Sequence, residues 1–431
     1  MKDYIYKIIG TVLLVSYITF IIVFMILKYK NTEHFNSTTT QTFYYTLIKN
    51  KNIKILSINR SIEYNNKNIT GFFGHNILYK IYSKLENKEY ILLRYPDFKN
   101  EVKRHSASYM NSFFSYLNHS FIDPHKNYIF DFTGFHGIID NKVRLWIKLK
   151  ETFGRKTANT IMGTTYLIPN DKQLFLDNYM NSDTKHNGVR KYILKNSFGG
   201  ARSALEVTTN KDTILHYFNT TYQNPVECKD AVCHSKVKYN IVQDYIEPTF
   251  LMKGLKFGLR MYLIITCNNT MNSYIYKDGN CYYSESAYNK TTTDLSQNVV
   301  GSIFKTQDIR KKNNLPESYK DFEKYIRKNE NNSTTKLNNF KTKLQEYCKK
   351  IIESNKDELC IFNKQNIKSY VIYAMDIEID RDFTPYIFEA NVYFTRFTMK
   401  ERLGGMISNM YNDIYYKLGL SNTNINGMWE L

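Results

Sequence analysis

The sequence predicts a mixed α+β (α/β) enzyme, preceded by a single transmembrane helix. The chain has 431 residues, of which 42% are hydrophobic, 15% are aromatic and only 7 are proline, so it is able to bury a large core. From residue 190 onward, strand-like segments dominate, and a charged helical stretch at 317–354 separates them into two sets. An uncharged apolar run lies near the N-terminus.

The apolar run, IIGTVLLVSYITFIIVFMIL, covers residues 8–27. As a helix it would span about 30 Å, the thickness of a bilayer core. A secretory signal has a shorter apolar region and a small-residue cleavage site, so we predict an uncleaved anchor. Lys2 and Lys7 flank one end and Lys28 and Lys30 the other, so charge does not decide the topology.

The rest of the chain divides by composition and periodicity. KVRLWIKLKETF at 142–153 has apolar residues at helical spacing and predicts an amphipathic helix. Within 317–354 the segment 329–336 predicts a loop. The predicted domains are an anchor at 1–30, a polar tether at 31–69, an N-terminal α/β lobe at 70–189, a central lobe at 190–285 and a C-terminal lobe at 286–431.

The formal net charge is +19. Such a surplus favours acidic partners such as peptide tails, nucleotides or anionic lipid. Codon bias that enriches lysine over the whole surface explains it equally well. No common nucleic-acid-binding motif is present, so a nucleic-acid partner is not expected.

The six cysteines show no CxxC pair. Cys228 and Cys233 with His234 have a weak resemblance to a metal site, but a second ligand cluster is missing. We therefore expect ordinary thiols in a cytosolic protein.

The segment 369–397 carries the most informative pattern, because side chains alternate between the faces of a strand. Asp376 lies on the face opposite Val371, Tyr373 and Met375, and the turn-like 380–385 predicts a hairpin. On the second strand Glu389 and Asn391 share a face, opposite to Phe388. If Asp380 pairs with Pro385, Asp376 lies across from Glu389. These oxygen ligands suit Mg²⁺, whereas a hairpin with one solvated face is the simpler alternative.

Two further strands carry cations. Lys195 ends the strand KYILK and precedes a Gly-Gly loop, where backbone N–H groups and the ammonium are able to meet a phosphate. Lys256 and Arg260 share one face of KFGLRMYLIIT, whose other face is apolar. Cations on a buried strand need anionic partners, which phosphate, a substrate carboxylate or structural salt bridges would each provide.

The segment 240–248, NIVQDYIEP, is an apolar strand that stops at a proline. The end of such a strand is able to offer backbone donors and acceptors to an adenine. An ordinary strand end explains the same pattern.

In their order and spacing these segments resemble the tubulin–tyrosine ligase-like family, across roughly residues 125 to 410. The ordered set carries the resemblance, since each motif alone is unspecific. The motifs are GTTYLIPND at 163–171, YILKNS at 192–197, IVQDYIE at 241–247, KFGLR at 256–260, YKDG at 276–279, Asp376, and FEAN at 388–391.

The resemblance implies an ATP-grasp fold and a carboxylate–amine ligase that uses ATP and Mg²⁺ to form an acyl-phosphate. It implies that Lys195 and Lys256 bind nucleotide phosphates and that Arg260, with Lys256, acts in catalysis. It assigns the adenine contact to Gln243, Asp244, Tyr245 and Ile246, and Mg²⁺ to Asp376, Glu389 and Asn391. The amino acid transferred would be Tyr, Glu or Gly, and the acceptor an acidic protein tail, most plausibly of tubulin.

The chain departs from the family pattern at four places. Gly258 replaces an aspartate, Tyr282 stands where an arginine is expected, and the glycine loop after Lys195 is degraded. The His-Leu-Thr-Asn pattern is reduced to DLSQ at 294–297.

Three functions therefore stay open: an amino-acid ligase, a membrane-tethered pseudo-ligase that binds nucleotide or microtubules, and a ligase for a small peptide or metabolite. Because the reaction requires ATP, we expect a single-pass membrane protein, anchored through residues 8–27, whose catalytic domain faces the cytosol.

Overall fold

The fold is known from a computed structural model. It describes residues 42–45, 53–58, 78–83, 88–94, 125, 127–132, 139–182, 190–196, 205–219, 239–301, 307–360, 367–391, 401–422 and 424–431. The chain forms two compact units, one of residues 1–43 with 58–63 and the other of 44–57 with 64–431. All packing described below lies within the second unit.

The main structure is a large mixed β-sheet. From the third strand onward its order is β3-β4-β5-β13-β11-β12-β15, with β10 added to β11 and β14 added to β13. The pairs β4–β5 and β5–β13 are parallel, whereas β11 is antiparallel to both neighbours. These strands are β3 (Leu78–Ser83), β4 (Lys88–Arg94), β5 (Asn127–Asp131), β10 (Leu251–Met252), β11 (Leu255–Asn268), β12 (Thr270–Ala287), β13 (Ile367–Ile379), β14 (Pro385–Asn391) and β15 (Met428–Glu430). Two strands precede them in sequence, β1 (Thr42–Tyr45) and β2 (Ile53–Ile58).

A smaller antiparallel sheet has the order β6-β9-β7-β8. Its strands are β6 (Thr165–Leu167), β7 (Tyr192–Lys195), β8 (Leu205–Thr208) and β9 (Ile241–Asp244). Helices α2 (Lys172–Ser182) and α3 (Lys211–Asn219) cover one face of it, and Phe175 is the centre of their aromatic core.

Six further helices complete the described fold. They are α1 (Lys142–Met162), α4 (Leu295–Asn298), α5 (Gln307–Lys312), α6 (Tyr319–Asn329), α7 (Ser333–Glu353) and α8 (Glu401–Lys417). The large sheet has apolar side chains on both faces, so it requires cover on both. Helices α1, α6 and α7 pack against one face and α8 against part of the other.

Local chemistry sets the helix boundaries. The side chain of Asn141 accepts hydrogen bonds from the N–H groups of Val143 and Arg144, both at 3.0 Å, and so begins α1. Gly154, with φ of +80°, interrupts α1 directly after the predicted helix 142–153. A capping box of Ser318 and Asp321 begins α6.

The mixed α+β class is confirmed, and so is the alternation of side chains on β11 and β13. Each strand named from the sequence is present, and the charged stretch forms α6 and α7. The loop predicted at 329–336 is wrong in its extent, because only 330–332 separate the two helices. Two strands, β1 and β2, lie inside the segment predicted as a tether. In the described ranges no helix is long and apolar enough to cross a bilayer, and the predicted span 8–27 lies outside those ranges.

The expectation of ordinary thiols is wrong for two cysteines. Cys267, at the end of β11, forms a disulfide with Cys360, and their Cα atoms are 5.5 Å apart. Neither a metal pattern nor a CxxC motif marks this pair, because 93 residues separate the two in sequence and only the sheet brings them together. Cys281 and Cys348 are free and buried, and Cys228 and Cys233 lie outside the described residues.

Candidate functional site

Three neighbouring strands direct polar side chains to one face of the large sheet. On β11 the residues Phe257, Leu259 and Met261 enter the core, so the alternating positions Lys256, Gly258 and Arg260 lie on the other face. The register pairs Arg260 with Asp376 of β13, and Asp376 with Glu389 of β14. The site is therefore built from charged side chains across the strands.

Asp376 is held by an arginine. Arg260 donates two hydrogen bonds to it, from Nε to Oδ1 and from Nη2 to Oδ2, both at 2.7 Å. Asn391 donates its side-chain N–H to Asp376 Oδ2 at 3.2 Å. Burial lowers the pKa of Arg260, but the bidentate pair with Asp376 outweighs this effect. The pKa of Arg260 therefore lies well above its ordinary value.

Glu389 contacts a lysine that the sequence did not single out. Lys142 Nζ, at the start of α1, lies 3.1 Å from Glu389 Oε1.

Asp376 faces Glu389 as predicted. The pairing of Asp380 with Pro385, from which we expected this, is wrong, because Ile379 pairs with Pro385. A β-bulge between the pairs Asp376–Glu389 and Ile377–Ile387 restores the alignment.

The same bulge corrects a second prediction. Strict alternation puts Phe388 and Glu389 on opposite faces, but Phe388 lies beside the site, where its ring centroid is 4.0 Å from Lys195 Nζ. Ile387 and Ala390 fill the core positions instead. An extra residue in one strand shifts the alternation by one, and sequence periodicity does not reveal where that happens.

Lys256 is almost fully buried and is neutralised within the protein. Its Nζ lies 2.8 Å from Glu378 Oε2 and 3.8 Å from the centroid of the Tyr245 ring. Glu378 follows Asp376 by two residues on β13 and shares its face, as the alternation predicts.

Lys195 differs from the other cations. It is 6% exposed, and in the described part of the chain its ammonium has no ion pair or hydrogen bond. Desolvation lowers its pKa from 10.5 to about 7, while Glu378 and Glu389 partly oppose the shift and Lys142 and Lys256 add to it. A buried cation without a counter-ion fits an anionic ligand, and phosphate is such a ligand.

The predicted adenine segment lies in the middle of the smaller sheet. Strand β9 pairs with β6 and β7, and the N–H groups of Asp244 and Tyr245 donate to Thr164 O and Lys191 O at 2.9 and 3.0 Å. The Gln243 side chain donates to Met162 O and Thr165 Oγ1, and Asp244 forms an ion pair with Arg190. Gln243, Asp244 and Tyr245 thus already have hydrogen-bond partners in the protein. A contact of this segment with adenine stays a prediction, and Ile246, the next residue, is the position that could make it.

A further cation, Lys191, was not singled out in the sequence and borders this segment. Lys191 Nζ donates to Asn298 Oδ1 at 2.6 Å and to Tyr288 Oη at 3.0 Å. Burial lowers its pKa to about 8, opposed by Glu247. Lys191 begins the strand KYILK, where alternation puts it on the face of Lys195, and Lys142 begins the predicted helix 142–153. Only the fold shows that both reach the site.

The donor set fits the implied cofactors. Asp376, Glu389 and the amide oxygen of Asn391 provide hard oxygen ligands of the kind Mg²⁺ binds. Among the described residues no group of three or more His, Cys, Asp or Glu side chains is placed to hold a metal, so a metal here would need the Asn391 amide, substrate oxygens or water. Lys195, whose pKa responds to Glu389, and Lys256, which is paired with Glu378, lie near this face and fit a phosphate chain.

Two of the four departures from the family pattern lie on β11 and β12. The segment DLSQ at 294–297 lies at α4, and the loop after Lys195 lies outside the described residues. A side chain at Gly258 would meet Val300 Cγ1 at 3.3 Å, and Tyr282, its neighbour across the pair, places its ring 5.4 Å from the guanidinium of Arg260. The YKDG motif at 276–279 lies inside β12, where Gly279 faces Met261.

Comparison with known proteins identifies a family. The model of the tubulin-tyrosine ligase family matches residues 125–402. Tubulin polyglutamylase ttll-4 of Caenorhabditis briggsae is 26% identical over 286 residues, which are 63% of this chain and 42% of the relative. Tubulin glycylase 3F of Tetrahymena thermophila is 25% identical over 204 residues, which are 43% of this chain and 22% of the relative.

The probable tubulin polyglutamylase ttll-9 of Caenorhabditis elegans is 22% identical over 253 residues, or 57% of this chain and 55% of the relative. The chain thus spans about half or less of the length of these relatives. The family match covers more than half of this chain and contains every strand that carries a site residue. The chain belongs to the tubulin-tyrosine ligase family.

Proposed function

We propose that this protein is an ATP-dependent carboxylate–amine ligase that adds an amino acid to an acidic protein tail, with tubulin as the first candidate. The observation that carries the proposal is the convergence of Lys195 and Lys256 with Asp376, Glu378 and Glu389. Family membership supports it, because relatives named polyglutamylase and glycylase modify tubulin with glutamate or glycine.

Each side chain has a role that follows from its position. Lys195 and Lys256 would bind phosphate oxygens, with Asp376, Glu389 and Asn391 holding Mg²⁺. ATP would supply the phosphoryl group that activates the carboxylate. Arg260, fixed by Asp376, would orient the anionic substrate, and Tyr245 and Tyr288 would exclude water beside Lys191.

The net charge fits the acceptor we propose, and residues 8–27 and one disulfide bear on the location. A net charge of +19 attracts acidic tails, and added salt should weaken that attraction. Residues 8–27 would anchor the chain in a membrane, with the catalytic domain on the ATP-rich cytosolic side. The Cys267–Cys360 disulfide argues against that orientation, since disulfides are rare in the cytosol.

The alternative is a pseudo-ligase that binds nucleotide or microtubules without chemistry. Arg260 and Lys142 already neutralise the two carboxylates that would hold the metal. Gly258 and Tyr282 replace the polar residues of the family pattern. A second alternative, a ligase that acts on a small peptide or metabolite, differs from the proposed ligase only in its acceptor.

The test uses the full chain purified in mild detergent and incubated with ATP, Mg²⁺, tubulin and labelled glutamate, glycine or tyrosine. Glu389→Gln removes a charge from the site, and Glu353→Gln, at an exposed position on α7, is the matched control. Label on tubulin that Glu389→Gln abolishes and Glu353→Gln preserves would support the ligase.

The other outcomes separate the alternatives. Binding of ATP, read as a shift in melting temperature, without label on any tested acceptor would support the pseudo-ligase. Label on a small peptide but not on tubulin would mean that the acceptor is a small peptide and not tubulin. Absence of ATP binding would overturn both ligase hypotheses.

A further inference from the structure

A basic cleft lies on the other side of β11 from the candidate active site. It encloses about 780 Å³ between the β10–β11 turn, α5 and α6. Phe322 of α6 stacks on Phe257 of β11, with ring centroids 4.8 Å apart, so α6 covers the core face of the strand whose opposite face carries Lys256 and Arg260. The cleft and the ligase site are therefore separate.

Five cations line the cleft: Lys253, Arg310, Lys311, Lys324 and Lys328. Arg310 is the informative one, because it is only 8% exposed and its Nε has no hydrogen-bond partner in the described structure. Its one ion pair among the described residues, with Glu317, is long at 3.9 Å. Arg310 therefore keeps most of its charge uncompensated at the wall of the cleft, which favours an anionic ligand.

The carboxylates of the cleft do not neutralise it. Glu317 faces Arg310, and Asp321 is used in the capping box of α6, where it bonds to Ser318. Lys311, Lys324 and Lys328 form no ion pair with any residue that the structure describes. The residues that line the cleft therefore have a positive net charge.

The geometry favours an extended peptide over a compact anion. Lys324 and Lys328 are one helical turn apart on α6, a rise of about 6 Å. Side chains on one side of an extended peptide repeat every 6 to 7 Å or so, which matches that spacing. Leu315, Pro316 and Tyr325 add an apolar floor for aliphatic stems of glutamate.

The β10–β11 turn sets the position of Lys253, another of the five cations of the cleft. Lys253 and Gly254 both have positive φ, of 49° and 77°, as a two-residue hairpin turn requires. Lys253 Nζ donates to Asn313 O at 2.6 Å, which holds the ammonium beside the segment after α5. The cleft is thus built from three elements whose positions the core sets.

We propose that this cleft is a docking site for an acidic peptide segment, separate from the site of ligation. The identity of the segment, as part of the polypeptide being modified, rests on the proposed function. The binding of an acidic peptide by the cleft is independent of that function, because binding requires no reaction.

The binding test uses the full chain in mild detergent and a fluorescein-labelled peptide of about ten glutamates, followed by fluorescence anisotropy in the Glu389→Gln background. The variant Lys324→Glu/Lys328→Glu reverses two exposed charges of the cleft. The control Lys349→Glu/Lys356→Glu makes the same change in net charge at exposed positions outside it.

We expect the cleft variant to raise the Kd at least about tenfold, because two attractions become repulsions, and the control to change it less than about twofold. Equal effects of the two variants would overturn the proposal, since only net charge would then matter. Cleft-dependent binding of a single-stranded oligonucleotide of equal charge that is tighter than that of the peptide would overturn it as well.

A second readout links docking to turnover. If the ligase is active, the cleft variant should raise the KM for the acidic polypeptide while the kcat and the KM for ATP stay unchanged. An inactive ligase whose cleft still binds the peptide would refute the proposed function but not the docking site.

Discussion

Lys195 provides the sharpest prediction, because it is a buried cation without a counter-ion among the described residues. Its pKa falls from 10.5 in the unfolded chain to about 7 in the folded protein. The folded state therefore binds the proton more weakly, and the cost is fully present below pH 7 and disappears as the pH rises through 10.5. At pH 7 the cost is about 4 kcal/mol, and at pH 9 about 2 kcal/mol.

The variant Lys195→Met removes the charge and keeps the length of the side chain. In urea unfolding of the nucleotide-free protein, it should raise the free energy of unfolding by about 4 kcal/mol at pH 7 and about 2 kcal/mol at pH 9. It should also lose most of the stabilisation that ATP gives to the wild type, since the phosphate partner is gone. Lys349→Met, at an exposed position, should change stability by less than about 0.5 kcal/mol.

A Lys195→Met protein that is no more stable than the wild type, with the same pH dependence, would refute this reasoning. It would mean that Lys195 has a counter-ion in the protein itself. Lys191, with a pKa of about 8, contributes to the pH dependence of both proteins and cancels in the difference.

Three other substitutions test the framework of the site. Gly279→Ala should unfold the β11–β12 pairing, because the new Cβ would lie 2.2 Å from the carbonyl oxygen of Arg260; a soluble variant with wild-type circular dichroism would contradict this. Asp376→Asn should lower the free energy of unfolding by about 3 kcal/mol, measured in urea, by leaving Arg260 without its carboxylate. Cys267→Ser should cost about 4 kcal/mol through loss of the 93-residue loop closure, and alkylation of Cys267 in the native, non-reduced wild type would show that the disulfide is not formed.

The sequence by itself determined the class of fold and much of the site. Alternation on β11 and β13 identified which side chains enter the core and which form the polar face, since a strand permits only two directions. The facing pair Asp376 and Glu389 was predicted from the hairpin, although through a register that the bulge on β14 corrects, and the ordered motifs indicated the family. Periodicity along the chain is enough for these features because they are local.

Only the tertiary structure decided the partners. Lys142 meets Glu389, Lys256 meets Glu378 and Cys267 meets Cys360 across long separations, which no local pattern encodes. The bulge that places Phe388 under Lys195 breaks the alternation without a sequence signal. The loss of charge at Lys195 likewise depends on burial between two sheets, because desolvation is a property of the packed environment and not of the residue.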